Sequence, residues 1–207
     1  MTSPYELVWR VPDDMPLSEA STISMCGLTA AQGVFYRLGL PCPFAPSKGI
    51  EQASEEPVHV LIYGASTSLG LYAAQMVQRA ASASKNKIRL IGVASTSKHE
   101  LLRAAPYSYD VLVDYRDADW PEAVRQATGP NGIQYAVDTI SEGETVTKVH
   151  STFGPDGKGF VTFRTPQGGK YNGDLPVKPV YGAVWEGLGV EIGYNVGYTG
   201  EQPKVTW

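Results

Sequence analysis

Apolar residues in this chain fall into short continuous runs, separated by turn formers and by stretches with a looser, helical period. Val58–Tyr63 (VHVLIY), Ile88–Ala94 (IRLIGVA), Asp110–Tyr115 (DVLVDY), Tyr135–Ile140 (YAVDTI) and Phe160–Phe163 (FVTF) read as five strands. Helical patterns lie between them, over about 69–83, 96–105, 119–128 and 144–151, the third expected to open with Asp119 as N-cap and Pro121 in its first turn. Strand and helix alternate at intervals of about 25 residues, and the strands are apolar throughout rather than on alternate positions. That pattern predicts a parallel sheet buried on both faces, a doubly wound α/β fold of the Rossmann type.

Before the first strand, VPDDMP reads as a linker, with Tyr5–Val11 an edge strand or incoming segment. A small-residue-rich helical stretch follows from Leu17 to about Gly39, and residues 41–57 form a Pro/Ser/Glu-rich connection. After Thr165 the chain turns to Gly, Tyr, Pro and Asn and shows no clean helix. The expected division is 1–57 for the N-terminal linker and helices, 58–165 for the Rossmann domain, and 166–207 for a tail. That tail could serve as an edge strand or a dimer contact.

Composition narrows the chemistry. With 43% hydrophobic and 18% charged residues the 207-residue chain is globular, and a net charge of −4 marks no general surface for nucleic acid or anionic membrane. No apolar run approaches ~20 residues and no signal-peptide pattern opens the chain, so a soluble, cytoplasmic protein without membrane contact is expected. Cys26 and Cys42 make neither a disulfide framework nor a zinc site, and His59, His99 and His150 have no ligand spacing, so no metal is expected. There is no nucleophile elbow and no P-loop lysine.

The chemistry concentrates where the first strand meets its helix, at Gly64-Ala65-Ser66-Thr67-Ser68-Leu69-Gly70. A buried strand, a tight Gly/Ser turn and a helix N-terminus together offer backbone N–H groups and a positive dipole end to an anion. Counted from Gly64, Ser66 and Leu69 stand where G-x-G-x-x-G has its other glycines. The turn alone therefore leaves dinucleotide binding and an ordinary strand–helix turn both open. Hydroxyls of Ser66, Thr67 and Ser68 can donate to phosphate oxygens. The second strand ends Ser95-Thr96-Ser97-Lys98-His99, with no carboxylate before Glu100 to hold a ribose 2′-hydroxyl. Lys98 and the hydroxyls suit a 2′-phosphate, hence NADPH (NADP) rather than NADH. The same residues also suit a plain helix cap with a solvated lysine.

VLIYGASTSLGLYAAQM, GVASTSKHELL, VDYR, YAVDTI and GKGFVTF together resemble the cofactor domain of the medium-chain dehydrogenase/reductase superfamily. The zinc-free quinone oxidoreductase branch is similar, and so are the fungal trans-acting enoyl reductases of polyketide biosynthesis, whose turn holds a similar Ser-Thr pair. The likeness spans roughly 12–195. It implies a pyrophosphate lined by Gly64, Ser66, Thr67, Ser68 and Leu69. Around the 2′-phosphate it places Thr96, Ser97, Lys98 and His99. Tyr115 would lie under the adenine, a role that competes with that of a core tyrosine. Thr162 and Phe163 would sit beside the nicotinamide, and Thr29 would approach nicotinamide and substrate. Gly187, Leu188, Gly189, Val190 and Glu191 match a substrate-side loop. Asp138 is read as orienting a loop, and no catalytic acid or base is assigned.

The resemblance further implies hydride transfer from NADPH to the activated C=C of an enoyl or quinone-like small molecule. It points to a polyketide synthase and a homodimer as partners. In that family a GroES-like catalytic domain precedes the cofactor domain, and this chain is expected to hold only the cofactor-binding part. The alternative is a non-catalytic NADPH-binding or redox-sensing module, or a truncated relic.

Overall fold

The structure is a computed structural model and describes residues 8–44, 56–163, 175–182 and 184. Six strands form one sheet: β1 (Val58–Tyr63), β2 (Ile88–Val93), β3 (Val111–Val113), β4 (Tyr135–Asp138), β5 (Gly159–Thr162) and β6 (Pro179–Tyr181). Their order is β3-β2-β1-β4-β5-β6 and every pair is parallel. This is the doubly wound dinucleotide-binding order, reversing direction between β1 and β4. The tail read from 166 onward contributes the edge strand β6, tied on by the Gly182 N–H donating to the Thr162 carbonyl at 2.9 Å. A strand of three residues beside Pro179 leaves almost no periodicity to read.

Alternation along each strand splits the core. Val60, Ile62, Leu90, Val137 and Val161 face one side, with Ala73, Ala74 and Val77 of α3 (Ser68–Ala83) and Ala30 and Val34 from the N-terminal helical segment. Leu61, Ile91, Val93, Ala136 and Phe160 face the other, under α5 (Trp120–Thr128) and α6 (Thr145–His150). Trp120 is fully buried there, its ring 5.3 Å from that of Tyr63. Burying so large a side chain is a principal hydrophobic contribution on that face.

The N-terminal segment is one continuous helical path from Leu17 to Arg37. Turns α1 (Leu17–Thr22) and α2 (Leu28–Ala31) alternate with wider turns at Ile23–Gly27 and Gln32–Arg37, and the linking residues keep right-handed helical dihedrals. Its small residues bring it close to the domain. Gly27 lies against the ring of Tyr72 in α3, and Gly33 against Phe163 and Val161. The Thr22 hydroxyl and the Tyr72 hydroxyl are 2.7 Å apart.

Two local expectations change. Asp119 sits at the start of α5, but its side chain makes no capping bond. The helix is instead opened by Pro121 in its first turn and by a turn in which the Asp119 N–H donates to Asp117. Ser95 likewise does not cap the next helix with its side chain, because its hydroxyl pairs with that of Ser97 at 3.3 Å. Residues 5–7 of the expected N-terminal edge strand lie outside the described residues, and 8–12 form no strand.

Candidate functional site

Between β1 and β4 the chain leaves in opposite directions, and the carboxyl ends of the two strands open a crevice. Gly64 leaves β1 with φ +75°, and a Cβ there would stand 2.3 Å from Thr139 Oγ1. Only glycine fits. The N–H groups of Gly64 and Ala65 donate to the Val93 carbonyl at 3.0 and 3.1 Å. α3 then starts so close to the strand that a Cβ on Gly70 would meet the Gly64 carbonyl oxygen at 2.3 Å. Gly70 therefore takes the close-packing role of the last fingerprint glycine, which counting from Gly64 assigns to Leu69. The turn is a longer variant of the fingerprint.

Thr67 caps α3. Its Oγ1 accepts the Gly70 N–H at 2.9 Å and lies 2.9 Å from the Gly64 carbonyl and 3.0 Å from Thr139 Oγ1. With one proton to give, this hydroxyl is committed inside the turn rather than free to donate to a phosphate. Ser66 is half-buried and Ser68 exposed, and no described residue bonds either hydroxyl. The N–H groups of Ser68 and Leu69 belong to the first turn of a 16-residue helix, where no intrahelical acceptor exists. Unpaired N–H groups at a helix N-terminus can receive an anion.

The exit of β2 lies beside the exit of β3. Ala94 donates to the Val113 carbonyl at 3.0 Å, and a 3₁₀ turn at Thr96–Lys98 leads into α4 (His99–Arg103). Asp114 ties the two exits. Its Oδ2 accepts the Thr96 N–H at 2.9 Å and the Thr96 hydroxyl, while its Oδ1 accepts the Arg116 N–H at 2.9 Å. The Arg116 guanidinium stands 3.5 Å from Oδ2 and 4.8 Å from the centre of the Tyr115 ring. Hydrogen bonds from the Thr96 hydroxyl and from the Arg116 and Thr96 amides hold the Asp114 carboxyl well below the usual carboxylate range, so it is ionised.

Of the four residues expected around a 2′-phosphate, Ser97 and Lys98 are exposed. The Thr96 hydroxyl is spent on Asp114. His99 is buried, with Nε2 3.1 Å from the Ala94 carbonyl, and supports the turn from below. Tyr115 is 47% exposed and so is not a core tyrosine. Tyr115 and Arg116 are exposed, Asp114 links their segment to Thr96, and Asp114 and Arg116 are the residues that local sequence patterns miss here. Thr96 and Asp114 meet only because β2 and β3 are adjacent in the sheet.

At the exits of β4 and β5, Asp138 is fully buried. Its Oδ1 accepts the Ile140 and Ser141 N–H groups at 2.9 and 2.8 Å, and its Oδ2 accepts the Thr145 hydroxyl at 2.9 Å. Burial raises its pKa against these bonds. These three bonds orient the loop into α6. The Ser141 hydroxyl donates to the Asp138 carbonyl at 2.8 Å and accepts the Phe163 N–H at 3.3 Å, which links β4's exit to β5's. Thr162 is buried and Phe163 half-buried. Phe163 packs on Gly33. Thr29, one helical turn before Gly33, is buried with its hydroxyl donating to the Met25 carbonyl at 2.7 Å. Residues 187–191, the expected substrate-side loop, lie outside the described residues.

Among the described residues no group of three or more His, Cys, Asp or Glu could hold a metal ion, and Cys26 and Cys42 are free thiols. No described helix is long and apolar enough to cross a membrane. Two surface hollows, sharing Val58, Asn86 and Lys158, open at the amino ends of the strands, away from the crevice.

No model of a known protein family matches the chain. Curated relatives do. Trans-enoyl reductase xenG of Xenoacremonium sinensis is 28% identical over 159 residues, which cover 77% of this chain and 39% of the relative. A zinc-type alcohol dehydrogenase-like protein of Schizosaccharomyces pombe is 31% identical over 161 residues, covering 76% and 43%. Among solved structures, the CurK enoyl reductase superposes with a TM-score of 0.71 at 22% identity, over 91% of this chain and 51% of that one. A mycobacterial protein complexed with NADPH gives 0.63 at 20% identity, over 89% and 52%.

The chain is a homologue of the fungal trans-enoyl reductases and of the zinc-type alcohol dehydrogenase-like protein, and it shares its Rossmann-type fold with the CurK enoyl reductase. It spans about two fifths of the curated relatives it matches. The doubly wound fold places a ligand outside the carboxyl edge of the strands. It also accounts for the strands' unbroken apolar character, since both faces of the sheet are covered.

Proposed function

We propose that this chain binds NADPH as the cofactor-holding part of a zinc-independent reductase of activated C=C bonds. The observation that carries the reading is at the exits of β2 and β3. Asp114, at the exit of β3, has both oxygens engaged by Thr96 and Arg116, while Ser97 and Lys98 are exposed. A 2′-phosphate would gain a cation and a hydroxyl donor there, and no carboxylate stands between the end of β2 and Lys98 to hold a 2′-hydroxyl. The residues fit the rest of the dinucleotide. Gly64 and Gly70 clear backbone space that a side chain would fill, and the first turn of α3 offers N–H groups for the pyrophosphate.

Bound in this way, NADPH would supply a hydride to the β-carbon of an enoyl or quinone-like acceptor. The chain's own part is to hold and orient. Ser66, Ser68 and Leu69 would seat the pyrophosphate, Thr67 would shape that seat, and Ser97 and Lys98 would take the 2′-phosphate. Tyr115 would support the adenine. Thr162, Phe163 and Thr29 would bound the nicotinamide end. The substrate class that fits the relatives is an enoyl thioester of polyketide type, delivered by a synthase, with small enones and quinones second. A homodimer is part of the same proposal.

The test measures NADPH binding and enone-dependent NADPH oxidation on the same 207-residue sample. Binding with turnover supports the reading in full. Binding without turnover supports cofactor holding and favours the alternative, a non-catalytic NADPH-binding or redox-sensing module. No binding of either nicotinamide dinucleotide contradicts the proposal.

A further inference from the structure

We infer that Asp114 is a positioning residue that sets the preference for a 2′-phosphate by building the Thr96–Lys98 turn from the neighbouring strand. The inference rests on the reading of Ser97 and Lys98 as the 2′-phosphate contacts. Thr96 opens the turn, and both its N–H and its hydroxyl end on one oxygen of a carboxylate 18 residues away in sequence. The other oxygen takes the Arg116 N–H, and the Arg116 guanidinium closes on the carboxylate from the Tyr115 side. One side chain therefore fixes the turn carrying Ser97 and Lys98 and the segment carrying Tyr115 and Arg116. No side-chain cap holds this turn in its place, since Ser95 makes no capping bond.

Two effects of this carboxylate on a bound 2′-phosphate have opposite sign. As a negative charge it repels the phosphate through solvent, an effect that screening keeps weak. As an acceptor of charge-assisted hydrogen bonds it orders the groups that would bind the phosphate, and ordering before binding raises affinity. The geometry points to the second as dominant, because the carboxylate's acceptor positions face Thr96 and Arg116. NADH, which has no 2′-phosphate, gains nothing from the ordered turn beyond its shared contacts.

Isothermal titration of the full chain with NADPH and with NADH reads the ratio of the two dissociation constants. Wild type is expected to favour NADPH. Asp114→Asn is expected to weaken NADPH about tenfold and NADH by no more than about twofold, a loss of selectivity of about 1–1.4 kcal/mol. Thr96→Val, which keeps the N–H bond and removes only the hydroxyl, is expected to move the ratio the same way by a smaller factor. It carries the test if the Asp114 variant does not fold. Equal weakening of both dinucleotides, the mark of a merely structural role, would overturn the inference. So would tighter NADPH binding, the mark of simple charge repulsion. A wild type that binds NADPH and NADH equally would remove the underlying 2′-phosphate reading, and the inference with it, whatever the variants show.

Discussion

The hydroxyl oxygens of Thr67 and Thr139 lie 3.0 Å apart across the crevice between β1 and β4. Thr139 is itself bonded to the end of β1, its N–H donating to the Tyr63 carbonyl at 3.1 Å and its hydroxyl 3.0 Å from the same oxygen. The start of α3 is thereby tied to the exits of two strands. An inner glycine at position 67 would give a dinucleotide turn its flexibility. Threonine instead gives it a cap and a cross-link.

Thr67→Val removes the cap while keeping the shape. The expected loss is about 1 kcal/mol of stability, or ~2–4 °C in Tm for a domain of this size. NADPH and NADH should weaken by the same factor, because the pyrophosphate is common to both. Thermal melts with and without each dinucleotide check this. Weakening of NADPH alone would contradict it.

Gly70→Ala should be far more damaging. Its Cβ would press on the Gly64 carbonyl and on Ala65 backbone, which no rotamer change relieves. A loss of more than about 3 kcal/mol is expected, together with loss of dinucleotide binding. Urea unfolding measures the first. A variant within ~1 kcal/mol of wild type would show that α3 does not approach β1 this closely.

Acid should destabilise the fold from near neutral downward. His59 is buried, its Nδ1 3.0 Å from the Gly132 carbonyl and its Nε2 without a hydrogen-bond partner among the described residues. Burial lowers its proton affinity below the ordinary 6.5, and His150 is lowered in the same way. The unfolded chain then binds more protons than the native one as pH falls through 6.5, so stability present above that pH is lost below it. Asp114 adds a second loss further down. Its depressed carboxyl stabilises the fold above the ordinary 3.8, and that contribution fades as pH falls below it. His59→Leu should flatten the stability profile between about pH 7 and pH 5, leaving the share due to His150. An unchanged slope would contradict the assignment.

Much of this was legible from the chain. Apolar runs such as Val58–Tyr63 and Ile88–Val93 are strands because both faces of the sheet are covered, and the small residues after Tyr63 are there because backbone must pass close to backbone. What escaped was non-local or too short to carry a period. Asp114 finds Thr96 through strand adjacency, and the three residues of β6 are too few to place the edge strand expected somewhere in the tail. Asp119 looked like a cap, but its side chain makes no capping bond. Gly70 was in view, yet its role shows only once α3 is laid on Gly64. Similarly, the hydroxyls of Thr67 and Thr96 read as free donors until their partners, distant in sequence, are placed.

The central claim is that the exits of β2 and β3 hold a 2′-phosphate through Lys98. The direct measurement is the dissociation constant of NADPH and of NADH for the wild-type chain and for Lys98→Ala. The account predicts that wild type prefers NADPH, and that the variant loses about tenfold or more for NADPH while NADH is nearly unchanged. Equal losses for the two dinucleotides, or no loss for either, would contradict it.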